Sequence, residues 1–318
     1  MNIVFFGTPD FAMESLKAIN EAGHDIKLVV TNPDRPKGRG MKMIPSPVKE
    51  YALDNKLEVD QPEKVRNNFE FIEKIKSINP DVICVVAYGK ILPKELLDIP
   101  KLGCINVHGS LLPQYRGAAP IQWAIINGDK KTGVTTMYMD EGMDTGDMIL
   151  RQEVEIADDE TTGELWNKLS KVGANLLVET LKQIENKTAP REKQSDLFTL
   201  APMLDKTIAK INWKEQTAQQ IKNLVRGLNP IMGAYTTLNN KKYKFWKVDI
   251  ANENEAIIDN NKNLKTGTVI LSDQKNGLYI KANSGIIKVL EIQGENAKKM
   301  NICDFLRGNE IKEFSVFE

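Results

Sequence analysis

Two domains are predicted for this 318-residue chain, an α/β domain built on a parallel sheet and, behind it, a small antiparallel β-barrel. Three observations predict them. The length exceeds what one ordinary core supports, and the apolar content of 41% is enough to bury two. Through the first half, apolar β-type segments alternate with helical patterns. In the last third this alternation gives way to short strand runs separated by tight-turn pairs.

The strand segments of the first half are "NIVFFG", "IKLVVT", "DVICVVAY", "GCINVH" and "GVTTMYM". Between the earlier ones, Phe11 to Ala22 and Phe69 to Ile78 carry apolar residues at three-to-four spacing, the mark of helices with one buried face. Strands apolar on both faces need cover on both, which argues for a parallel sheet between helices. Right-handed crossovers then make the domain Rossmann-like, with its ligand site beyond the carboxyl ends of the strands.

From Thr161, "TTGELWNKLSKVGANLLVETLKQIE" places Leu165, Leu169, Val172, Leu176, Leu177, Leu181 and Ile184 on one stripe. Thr161 and Glu164 stand at capping-box spacing, so a long amphipathic helix is predicted to close the first domain. The polar "NKTAPREKQSD", broken by Pro190, reads as a linker. The predicted boundaries are 1–189 for a catalytic domain, 190–206 for the linker and 207–318 for the second domain. There, a short helix over Thr217 to Leu228 precedes "AYTTLNNKKYKFWKVDI", "TGTVILS" and "GLYIKANSGIIKVLEI". Asn239-Asn240 and Ser284-Gly285 mark hairpins, and an OB-like barrel accommodates them.

Composition narrows the function classes. The N-terminus lacks the basic start and small-residue cleavage site of a signal peptide, so no export is expected. The longest apolar run, Val82 to Tyr88, is far short of the roughly 20 residues that cross a bilayer. Cys84, Cys104 and Cys303 are odd in number and without CxxC spacing, which reads as free thiols of a soluble cytoplasmic protein. The net charge of zero conceals 23 Lys+Arg against 28 Asp+Glu over residues 1–190, and 20 against 15 over residues 191–318. An acidic-leaning front joined to a basic rear fits catalysis followed by contact with a polyanion.

The chemistry concentrates in "CINVHGSLLPQYRGAAP", residues 104–120. Asn106 and His108 are two apart on a strand, so both point to one side with Cα atoms roughly 6.6 Å apart. An amide donor and an imidazole converging on one carbonyl suit acyl-type transfer. Gly109 permits close approach of a ligand, Ser110 supplies a hydroxyl and Pro113 fixes the loop. Cys104 lies about 13 Å from His108 along the strand, too far to form a nucleophile pair. A serine triad has no G-x-S-x-G elbow, and the first turn has one glycine where a dinucleotide fingerprint has three. "MDEGMDTGDM" offers Asp140, Glu141, Asp144 and Asp147 as a carboxylate for the histidine, and spacing does not choose among them. No metal is expected. The Gly/Pro-rich stretch 31–48 carries Arg35, Lys37, Arg39 and Lys42, placed to clamp phosphates.

Taken together, "FGTPDFA", "TNPDRPKGRG", "PSPVK", "VVAYGKILP", "GCINVHGSLLPQYRGAAPIQ", "GMDTGDM" and "INW" resemble the folate-dependent formyltransferases over nearly the whole length. The basic loop and barrel make the chain most similar to the methionyl-tRNA formyltransferases. The resemblance implies transfer of the formyl group of 10-formyltetrahydrofolate to the amine of initiator Met-tRNA, for translation initiation. It further implies a catalytic trio of Asn106, His108 and Asp144, and a folate-binding stretch of Ser110, Leu111, Leu112 and Pro113. For tRNA it implies the basic loop, with Arg39 foremost, and the barrel, where Lys241, Lys242 and Lys244 are candidates. The chain departs from the family pattern at "RGLNPIMGAY", where a tryptophan-proline usually follows the "NP". A monomer without membrane contact is expected. The rivals are a formyltransferase with a small acceptor, such as a nucleotide sugar or glycinamide ribotide, and a non-catalytic tRNA-binding module.

Overall fold

In a computed structural model, which describes residues 1–37, 42–251 and 263–318, the chain divides into two compact units. The first comprises Met1–Ile121, Lys131–Glu155 and Trp166–Pro202; the second comprises Gln122–Lys130, Ile156–Leu165 and Met203–Glu318. The expected linker, 190–206, is therefore divided. Up to residue 202 it packs as part of the first unit, where Glu192 forms a bridge to Met148 and Leu200 one to Arg116.

The chain begins with β1 (Asn2–Gly7), α1 (Asp10–Glu21), β2 (Asp25–Val30) and a two-stranded hairpin, β3 (Arg35–Lys37) with β4 (Lys42–Ile44). Next come α2 (Pro47–Asp54), β5 (Val59–Asp60), α3 (Phe69–Ile78), β6 (Val82–Val86), α4 (Lys94–Leu97) and β7 (Cys104–His108). They are followed by α5 (Pro120–Ile126), β8 (Lys131–Tyr138), β9 (Met148–Glu155) and α6 (Thr162–Glu185). The sheet runs β5-β2-β1-β6-β7-β8-β9. From β5 to β7 the pairings are parallel, as both-side-apolar strands predict; β8 and β9 are antiparallel additions at the edge.

Two faces are covered by different helices. On one, Phe71, Ile72 and Ile75 of α3 and Leu96 of α4 pack with Phe6, Val85 and Cys104 of the sheet. On the other, α6 lies so close to β7 that a Cβ at Gly173 would stand 2.9 Å from Val107 Cγ1, a separation only glycine avoids. The amphipathic stripe on α6 shifts accordingly: Leu165, Leu169, Leu177, Leu181 and Ile184 are buried, and small Gly173 and Ala174 take the place expected of Val172 and Leu176. Val107 faces α6, so strand alternation turns Asn106 and His108 toward the opposite face.

In the second unit, α7 (Ala218–Gly227) starts from a capping box of Thr217 and Gln220. After it come β10 (Ala234–Leu238), β11 (Lys241–Ile250), β12 (Val269–Asp273), β13 (Gly277–Lys281), β14 (Ile286–Gln293), β15 (Met300–Asn301) and α8 (Ile302–Gly308). The order β10-β11-β14-β13-β12 is antiparallel throughout. Asn239 and Asn240 join β10 to β11 with φ of 51° and 62°, the paired left-handed conformation of a tight hairpin. The last residues close the barrel: Glu318 exchanges hydrogen bonds with Thr237, and Ser315 and Phe317 pair with Val269 and Gly267. Inside, Phe245 meets Trp213 and Phe317 at ring-centroid distances of 6.4 and 6.0 Å. Phe245→Ala is expected to lower the unfolding free energy by about 3–5 kcal/mol, read from the midpoint of denaturant unfolding.

Candidate active site

Parallel β1, β6 and β7 end at one edge of the first sheet, and β7 delivers Asn106 and His108 there. His108 is buried, and its Nε2 lies 2.9 Å from the carbonyl oxygen of Tyr115. A carbonyl only accepts, so Nε2 carries the proton and Nδ1 is left facing the other way. There it faces Asp144 Oδ1 at 3.7 Å, beyond hydrogen-bond distance. The second oxygen, Oδ2, accepts from the backbone N–H of Gly117 at 2.8 Å. Asp144 is thus held between the imidazole and a main-chain donor, with a side chain 14% exposed.

The other three carboxylates of this loop are engaged elsewhere. Asp140 accepts from Gly142 N–H and from the Thr145 hydroxyl, Asp147 pairs with Arg191, and Glu141 stands 3.6 Å from Lys94 Nζ. Asn106 is half-buried, and its side-chain amide has no hydrogen-bond partner among the described residues. An amide donor left open beside a positioned imidazole is what a ligand carbonyl requires.

The stretch Ser110 to Pro113 turns partly inward. The Ser110 hydroxyl is buried and donates to the Gln114 carbonyl at 2.6 Å, and Thr135 Oγ1 donates to the Ser110 carbonyl at 2.7 Å. Leu112 is buried with Met137 and Met148. Leu111 and Pro113 remain half-exposed. What this stretch presents outward is Leu111, Pro113 and backbone, rather than the Ser110 hydroxyl.

Cys104 is buried, and desolvation pushes its thiol up to about 12; burial raises Cys84 further. Neither thiol is a nucleophile at neutral pH. No group of three or more His, Cys, Asp or Glu suited to a metal ion occurs among the described residues.

Of the basic residues, Arg35 is exposed on the β3–β4 hairpin, where Lys37 and Lys42 pair in register; Arg39 lies outside the described residues. The base of the hairpin is anchored by Asp34, which accepts from Lys49 at 2.6 Å and from Gln61 at 2.9 Å. On β11, alternation separates Lys241 from Lys242 and Lys244. Lys242 Nζ lies 3.5 Å from the centre of the Tyr235 ring, and Lys244 Nζ donates to the Met232 carbonyl and lies 5.6 Å from the Trp246 ring.

Sequence reasoning missed the residues that hold this site. The segment after α6 runs back along it: Thr199 Oγ1 accepts from Tyr115 N–H, Thr199 carbonyl accepts from Arg116 N–H, and Ala201 N–H donates to the Arg116 carbonyl. Gln194 hydrogen-bonds both Arg116 and the Asp144 loop. A polar segment of this kind gives no periodic signal. The "YRG" triplet was the available hint, since Tyr115 and Gly117 both take positive φ.

Comparison with known proteins matches residues 1–181 to the family model described as "Formyl transferase" and residues 203–310 to "Formyl transferase, C-terminal domain". The chain is 51% identical over 313 residues to a methionyl-tRNA formyltransferase of Clostridioides difficile, covering 98% of each chain. It is 47% identical to another from Caldanaerobacter subterraneus, covering all of both. Among solved structures, HypX from Aquifex aeolicus in complex with tetrahydrofolic acid shares the fold with a TM-score of 0.65 at 15% identity, over 99% of this chain and 50% of that one. WlaRD, a sugar 3N-formyl transferase, gives 0.64 at 21% identity, over 94% of this chain and 99% of that one.

Gly117 has φ of +125°, and a Cβ there would stand 2.6 Å from the Ala201 carbonyl oxygen. Gly117→Ala is therefore expected to cost about 1–3 kcal/mol in backbone strain and to displace the N–H that holds Asp144, so both the denaturation midpoint and turnover should fall.

Proposed function

The chain belongs to the formyl transferase family, and from that membership we propose how its residues move the formyl group. The enzyme transfers this group from 10-formyltetrahydrofolate to the amino group of methionyl-tRNA. The observation that carries the assignment of residues is the unpartnered Asn106 amide next to a His108 whose Nδ1 faces Asp144.

Asn106 donates its amide N–H to the formyl oxygen as the methionyl amine adds to the formyl carbon. The new C–N bond pushes an electron pair onto that oxygen, and a donor already in place stabilises the developing charge without reorganising. Asp144 and His108, acting as a pair, take the proton that the amine sheds. His108 is fixed by the Tyr115 carbonyl at Nε2, so Nδ1 is the ring atom that exchanges protons. When the bond from the carbon to folate N10 breaks, its electron pair returns to nitrogen, and the same proton travels there. Tetrahydrofolate and formylmethionyl-tRNA leave with every atom accounted for. Leu111, Pro113 and the backbone of the 110–113 stretch line the folate side.

The acceptor in this reading is initiator Met-tRNA, held by the basic stretch 31–48 with Arg35, Lys37, Arg39 and Lys42 and by the outer face of β11. There Lys242 and Lys244 stand over Tyr235 and beside Trp246, a surface of cations and ring faces that suits a nucleic acid. No helix among the described residues is long and apolar enough to cross a membrane. We place the enzyme in the bacterial cytoplasm, which suits a Met-tRNA substrate and three free cysteines, and take it to act as a monomer.

Asn106→Ala should lower single-turnover formylation by on the order of a hundred- to thousandfold while leaving tRNA affinity nearly intact. A near-normal rate would remove Asn106 from the reaction. For the nucleic-acid side, replacing Lys242 and Lys244 together by alanine should flatten the dependence of log affinity on log salt by about two, one for each phosphate no longer neutralised. Lys241→Ala should change that slope little.

A further inference from the structure

We infer that Gln194 is a positioning residue for formyl transfer, setting the place of Asp144 relative to His108; the inference rests on the catalytic reading of those two residues given above. Asp144 has φ of 54°, left-handed backbone that is uncommon outside glycine and that aspartate adopts where local hydrogen bonds support it. The surrounding loop is rich in glycine and opens to solvent at Glu141, Gly142 and Met143. A loop of this composition needs an external tie to keep such a conformation.

Gln194 supplies it. Its Nε2 donates to the Asp144 carbonyl at 2.7 Å and to the Gly146 carbonyl at 2.8 Å, one amide hydrogen for each. The two carbonyls flank the turn, so one amide fixes it from both sides. The orientation of that amide is itself determined, because Oε1 accepts from Arg116 Nε at 2.9 Å. Flipping it would set an oxygen against two carbonyl oxygens and an NH₂ group against a guanidinium. Arg116 is 9% exposed and rests on the Phe198 ring at 4.5 Å, so it is held as firmly as the group it orients.

Arg116 lies between the two residues that complete the site. Tyr115 receives His108 Nε2 on its carbonyl, and Gly117 gives its N–H to Asp144 Oδ2. Gln194 therefore joins the turn that fixes the imidazole to the loop that carries the carboxylate. Over residues 191–200 it is the one half-buried residue among exposed ones. An amide serving stability alone would have no need to bind these two pieces in particular, and a coupling measurement separates the two roles.

The test is a double-mutant cycle on the full-length enzyme with Met-tRNA and 10-formyltetrahydrofolate. Gln194→Leu should lower kcat roughly tenfold to a hundredfold, the effect of misplacing a catalytic group by a fraction of an ångström to one ångström, with both KM values nearly unchanged. In an Asp144→Asn background the same change should cost nothing further, because the residue it positions is already disabled. Arg116→Lys keeps the charge but loses the Nε donor, so it should show a smaller loss with the same coupling; it carries the cycle if Gln194→Leu fails to fold. An unaltered kcat in Gln194→Leu, or equal losses with and without the Asp144 carboxylate, would overturn the inference. A normal rate in Asp144→Asn alone would instead overturn the reading of the site itself.

Discussion

In the proposed mechanism the chemistry depends on a carboxylate that neighbouring segments hold in left-handed backbone. Asp144 sits in the left-handed region, with one oxygen toward His108 and the other on the Gly117 N–H. Each partner comes from a different piece of chain: the imidazole from a strand end, the N–H from the turn after it, and the aspartate from a glycine-rich loop between two antiparallel strands. Their agreement is enforced by packing beneath, where α6 lies against β7 at Gly173, and by the hydrogen bonds of residues 194–201 above. Electrostatic catalysis requires such advance placement, because donors that reorient during the reaction spend the energy they would otherwise contribute.

In the proposed function the two units divide the labour. The first supplies a sheet edge where parallel strands end together and where a half-buried amide stays unpaired. The second supplies a closed antiparallel barrel whose aliphatic interior surrounds the cluster of Trp213, Phe245 and Phe317, and whose outer face sets lysines against rings. A lysine resting on a ring loses little freedom on meeting a phosphate, because its side chain is partly ordered beforehand.

Much of this was legible in the sequence, for reasons that can be given residue by residue. Strands such as Val82–Val86 are apolar on both faces, so burial and the parallel sheet follow directly. Asn106 and His108 share a face because strand periodicity is two, and Asn239-Asn240 forms a tight turn because asparagine tolerates positive φ. Three things were not legible. Asp144 differs from Asp140, Glu141 and Asp147 only in where a glycine-rich loop folds, and spacing carries no record of that. The antiparallel attachment of β8 and β9 depends on long-range pairing, not on local pattern. Gln194 and Thr199 look like ordinary linker residues, since hydrogen bonds to backbone carbonyls leave no periodicity behind.

Where the first unit ends also matters for anyone who would graft it onto another acceptor-recognition module. Amphipathic periodicity stops at Glu185, and a cut there would keep every side chain assigned to the reaction. It would also discard the irregular segment from Glu192 to Ala201 that ties the turn at Tyr115 to the loop at Asp144. A chimera joined after Pro202 retains that segment; one joined at the helix end inherits the right residues in a slackened arrangement.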